Sequence, residues 1–105
     1  MQARRPRKHL CAIGSHPITK IWEDTLVEKL MAILKDLEVQ WTSIDVIRIG
    51  FVGAEPIPVL WIGLRPRSVT AEHGSVLVSR CRKLLEENGI VDMDVEVYEP
   101  SQSRI

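Results

Sequence analysis

Pro56-Ile57-Pro58-Val59-Leu60-Trp61-Ile62-Gly63-Leu64-Arg65-Pro66 is the stretch whose reading decides the fold. It is the most apolar part of the chain, prolines fence it, and no charge interrupts it before Arg65. A run this short, rich in branched side chains and bounded by proline, reads as a β-strand buried on both faces. It falls well short of the ~20 apolar residues that a membrane-spanning helix needs. With a period of two, Leu60, Ile62 and Leu64 share one face, and Val59, Trp61 and Gly63 share the other.

Outward from this strand the pattern alternates between helix and strand. Upstream, residues 43–51 alternate as Ile44, Val46 and Arg48 against Asp45, Ile47, Ile49 and Phe51, a strand that reaches the turn Gly53-Ala54-Glu55. Before it, residues 17–38 form the clearest helix. Ile18, Trp22, Leu26, Leu30, Ile33, Leu34 and Leu37 recur at steps of three and four, with Ser15 as the expected N-cap and Pro17 in the first turn. His9-Leu10-Cys11-Ala12-Ile13 is short and apolar and reads as a first strand. Downstream, Ser68 or Thr70 opens a second helix whose buried stripe is Leu77, Cys81, Leu84 and Leu85. Asn88-Gly89 stops it in the left-handed conformation, with Ile90 making the hydrophobic contact beyond. Val91, Met93, Val95 and Val97 then alternate with Asp92, Asp94, Glu96 and Tyr98, a strand with one buried and one wet face.

The chain of 105 residues is expected to form a single α+β domain over residues 9–100, between a disordered basic arm at residues 1–8 and a tail at 101–105. The order (β)αββαβ suggests a ferredoxin-like two-layer sandwich, an antiparallel sheet with both helices on one face. In that plan two helices cover only half of the central strand's surroundings. The other face, centred on Val59 and Trp61, is the candidate interface, for a homodimer packed sheet to sheet or for a partner domain.

Formal net charge is zero, with 14 basic and 14 acidic side chains, but the balance is uneven. Arg4, Arg5, Arg7 and Lys8 gather at the start and leave the rest of the chain net acidic. Such an arm is a candidate for contacting nucleic-acid phosphates, although no aromatic residue is interleaved for base stacking. Met1 leads into charged residues with no apolar signal segment, and two cysteines are too few for a disulfide framework, so an intracellular protein is expected.

Catalytic and metal chemistry find little support. Asp92, Asp94 and Glu96 would put three carboxylates on one strand face, but same-face positions lie ~7 Å apart, too far to share one ion. The better reading is a solvated, charged face. Cys11, His16, His73 and Cys81 lack the close pairing of a zinc site, and read as two buried thiols and two surface histidines. Ser68, Ser75 and Ser79 have no nucleophile elbow and no base beside them. Gly50-Phe51-Val52-Gly53 matches the KH-domain Gly-X-X-Gly only in letters, since it closes a strand and carries no cation. No phosphate-binding loop or dinucleotide fingerprint is present, so neither a catalytic residue nor a cofactor is expected.

Three separated motifs carry a resemblance. Pro58-Val59-Leu60-Trp61-Ile62-Gly63-Leu64-Arg65-Pro66, the cysteine-bearing Cys81-Arg82-Lys83-Leu84-Leu85, and Gly89-Ile90-Val91-Asp92-Met93-Asp94-Val95-Glu96-Val97 resemble a domain of uncharacterised fungal proteins. His16-Pro17 before an amphipathic helix resembles its start. The likeness spans roughly residues 16–99. It departs at Arg67, where glycine is usual, and at Tyr98, where arginine is usual. The resemblance implies no activity; it does imply a domain that occurs inside longer chains.

Overall fold

The four-residue spacing of Ile18, Trp22, Leu26, Leu30 and Leu34 sets how the first helical region is built. On an ideal α-helix each four-residue step drifts by ~40°, so this stripe would wind around the cylinder. In the computed structural model, which describes residues 8–99, the drift is absorbed. Helix α1 (Ile18–Ile21) runs into a π-helical segment (Trp22–Leu26) and on into α2 (Val27–Asp36). A π-turn holds more residues than an α-turn. Ile18, Leu26, Leu30 and Leu34 therefore all reach the core.

Strands β1 (Lys8–Ala12), β2 (Trp41–Phe51), β3 (Ile57–Leu64) and β4 (Asp94–Tyr98) form one sheet in the order β1-β2-β3-β4. Helix α3 (Ala71–Glu87) connects β3 to β4. The protein is thus α+β, a four-stranded open sheet with two helical regions. The expected antiparallel sheet is corrected in one respect: β1-β2 and β2-β3 are antiparallel, but β3 and β4 are parallel. The strand order is sequential, which is not the split βαβ arrangement. Alternation assigns faces and says nothing about neighbours. The α3 crossover is long enough to return the chain beside β3 in parallel, and β4 takes that place. Short β1 is left at the opposite edge.

Leu60, Ile62 and Leu64 of β3 join Val95 of β4, Leu26, Leu30 and Leu34, and Leu77, Cys81 and Leu85 of α3 in one buried cluster. Both helical regions thus pack into one cluster with the same set of sheet side chains. His73 Nε2–H donates to the Leu37 carbonyl at 2.7 Å, and Arg80 pairs with Asp36 at 2.6 Å, joining α2 to α3. The helix ends follow sequence chemistry at three points and depart from it at one. Thr70 Oγ1 accepts the His73 N–H, Gly89 turns at φ 79°, and Ile90 N–H donates to the Leu85 carbonyl at 2.8 Å. Ser15, expected to cap α1, makes no cap bond. The imidazole of His16 does so instead, its Nδ1 accepting the Ile18 N–H at 3.1 Å.

Candidate functional site

The two faces of β3 have separate surroundings. Register places Ile44, Val46, Leu60, Ile62, Val95 and Val97 on the helix side. Leu10, Ile47, Ile49, Phe51, Ile57, Val59, Trp61, Glu96 and Tyr98 belong to the other side. This open face divides into two halves along the strands.

One half is apolar. Ile49 and Val59 form its floor, each 2 % exposed, although neither belongs to the helix-packed core. Around them stand Leu10, Phe51 and Ile57, which are 56 %, 37 % and 44 % exposed. The other half is polar and aromatic. Trp61 and Tyr98 stack with ring centroids 4.1 Å apart and planes at 21°. Indole Nε1–H donates to Glu96 Oε1 at 3.2 Å, and the Tyr98 and Ser43 hydroxyls are bonded at 2.9 Å. Gly63 makes room for this group. A Cβ there would meet Ser43 Oγ and Thr42 Oγ1 at 2.7 Å and the Tyr98 hydroxyl at 3.0 Å.

Of the expected interface residues, then, Val59 is floor and Trp61 is a half-buried ring with a stacking and a hydrogen-bonding partner. The more exposed apolar side chains of this face, Leu10, Phe51 and Ile57, lie a few residues away, on β1 and at the β2–β3 hairpin. Alternation alone could not show this, because exposure depends on which strands are neighbours. Arg4, Arg5 and Arg7 lie outside the described residues; Lys8 begins β1.

The expected row of three carboxylates is also corrected. Asp94 and Glu96 face the open side, but β4 starts at Asp94, and Asp92 lies in the preceding loop. There Asp92 accepts from His16 Nε2, 3.1 Å from either carboxylate oxygen. Because Nδ1 accepts a backbone N–H, the ring proton sits on Nε2, and no lone pair is left to act as a base. His16 is buried rather than at the surface, and it ties the start of α1 to the loop before β4. The thiols differ too. Cys11 is only half-buried, while Cys81 is fully buried, and desolvation pushes its thiol up from 9.0 to about 12, against a smaller opposing effect of Arg80. Among the described residues no group of three or more His, Cys, Asp or Glu could hold a metal ion, and no helix is long and apolar enough to cross a membrane.

A groove that sequence reasoning missed lies where α3 meets the ends of β3 and β4. It has a volume of about 580 Å³. Because these two strands are parallel, both carboxyl ends point the same way, and the loop from Arg65 to Thr70 and the start of α3 gather beside them. Leu64, Val69, Val78 and Val97 supply its apolar lining; Ser75, Ser79 and Arg82 line it from α3. Arg67 stands in the connecting loop at φ 59°, a conformation that favours glycine. Its N–H donates to Glu99 Oε2 at 3.2 Å, which ties the loop to the end of β4. The only sequence signal for the groove is that Ser75, Ser79 and Arg82 fall at i, i+4 and i+7 on α3, beside its buried stripe.

No family model, no curated protein and no solved structure matches this chain.

Proposed function

We propose that this protein is a non-enzymatic interaction module that self-associates through the open face of its sheet. One observation carries the reading: Leu10, Phe51 and Ile57 stand exposed together on the face opposite the helix-packed core, around Ile49 and Val59. Grouped apolar exposure of this kind is a hallmark of interfaces. Val59 and Trp61 form the floor and the polar margin of that surface. A second copy of the chain is the occupant that fits best. Residues 1–7 and 100–105 offer only Met1 and Ile105 as large apolar side chains, and four of those residues are arginines. They are poorly suited to covering an apolar patch, whereas the same patch on a second copy matches it in character, as a twofold interface requires.

Sedimentation equilibrium over a concentration series tests this. The chain is expected to form a dimer that Leu10→Glu or Ile57→Glu reduces to a folded monomer. A native chain that stays monomeric at several hundred micromolar overturns self-association. The alternative, phosphate contact through Arg4, Arg5, Arg7 and Lys8, would appear instead as salt-dependent DNA or RNA binding that is lost when residues 1–7 are removed.

A further inference from the structure

We infer that the groove between α3 and the carboxyl ends of β3 and β4 is a binding site for a small amphipathic carboxylate. This does not rest on the self-association reading, which concerns the other side of the sheet. The groove's volume of about 580 Å³ lies within the range of small-molecule sites. The position also has a topological cause. Parallel pairing brings the carboxyl ends of β3 and β4 and the start of α3 to one end of the sheet, and the groove opens there.

The lining chooses the ligand. Leu64, Val69, Val78 and Val97 provide apolar walls for an alkyl or aryl body. Arg82 is the one cation of the lining, and it has no ion-pair or hydrogen-bond partner among the described residues. Ser75 and Ser79, on the same stripe of α3, add two hydroxyl donors. The single carboxylate of the lining, Glu99, accepts the Arg67 N–H and forms no ion pair with Arg82. A guanidinium binds a planar carboxylate through two parallel N–H···O bonds. One cation beside an acidic side chain matches a monoanion better than a phosphate dianion, whose second charge would face Glu99 uncompensated. The ligand lies with its apolar body along the valines and its carboxylate on Arg82, with Ser79 and Ser75 alongside.

The test titrates the full chain with octanoate, octylammonium and inorganic phosphate, following backbone amide shifts by NMR and affinity by calorimetry. Octanoate is expected to shift Val69, Ser75, Val78 and Val97, and to bind at least tenfold more tightly than either other probe. Arg82→Gln, an exposed substitution that leaves the core untouched, should weaken octanoate at least tenfold. Octylammonium binding as well as octanoate, phosphate binding as well as octanoate, or an Arg82→Gln variant with unchanged affinity each overturns the assignment. So does the absence of octanoate binding at millimolar concentration. Leu10→Glu should leave octanoate affinity unchanged, so loss of the dimer and loss of the ligand are read separately.

Discussion

The two faces of β3 are made of equally apolar side chains, yet they are closed by different means. On the helix side Leu60, Ile62 and Leu64 are sealed by residues from both helical regions in one cluster. On the open side, among the described residues, no helix side chain joins Ile49 and Val59 in a buried cluster. Trp61 is partnered by residues of its own sheet, the Tyr98 ring and the Glu96 carboxylate, while Ile57 two rungs along stays 44 % exposed. The contrast shows that a strand can look uniformly buried in sequence while one of its faces depends on what the adjacent strand happens to supply.

The largest effect expected from this contrast is in stability. Ile62→Ala should destabilise the fold by about 2–5 kcal/mol, because the cavity opens inside a cluster that cannot collapse. Ile57→Ala should cost less than about 1 kcal/mol under conditions where the chain is monomeric, since little area is taken from water there. Urea denaturation at low protein concentration measures both. Equal costs would mean that the open face is closed by something more than its own strands.

Gly63→Ala probes the polar half of the open face. Its Cβ must displace the Ser43 and Thr42 hydroxyls and press on Tyr98. Moving short side chains of this kind should cost roughly 1–3 kcal/mol. It should also disturb the Trp61–Tyr98 stack, seen as a change in near-ultraviolet circular dichroism. Unchanged aromatic ellipticity with normal stability would show that Tyr98 has another place to go.

The smallest effect belongs to Cys81, beneath the covered face. Its thiol is raised to about 12 in the folded chain against 9.0 for an exposed thiol, so the neutral form is favoured by folding. This contribution is complete below about pH 9 and declines above it, as the unfolded chain loses the proton and the folded chain keeps it. The fall in urea midpoint from pH 8.5 to 10.5 should therefore be smaller in Cys81→Ala than in the native chain. Half-buried Cys11 should react with a thiol reagent in the folded protein, while Cys81 reacts only after unfolding. Simultaneous labelling of both would place Cys81 nearer solvent than its burial implies.

Much of this architecture was legible in the residues because it rests on local chemistry. Thr70 capping, the Asn88-Gly89-Ile90 stop and the Leu77, Cys81, Leu84, Leu85 stripe each depend on residues within a turn or two of one another. Where a side chain acts across the fold, local pattern failed. His16 looked like a surface histidine and Ser15 like the cap. Only contact with Asp92, 76 residues away, gives the imidazole its place, with Nδ1 turned to the Ile18 N–H. Likewise Asp92 seemed to continue a row with Asp94 and Glu96 until the strand was seen to begin after it. Ser75, Ser79 and Arg82 carry no local sign of a groove, because nothing local announces that β4 returns beside β3.

The sequence by itself determined which side chains share a face of Pro56–Pro66, since the period of a strand is a property of its own backbone. It also determined where the second helix ends, since the Asn88-Gly89 stop is local, and narrowed its start to a cap at Ser68 or Thr70. Tertiary structure alone decided that β4 runs parallel to β3, that β1 lies at the far edge, and that Trp61 is closed by Tyr98 while Leu10, Phe51 and Ile57 are left open. Strand order depends on which long-range pairing buries the most surface, and alternating residues satisfy several orders equally well until the whole chain is packed.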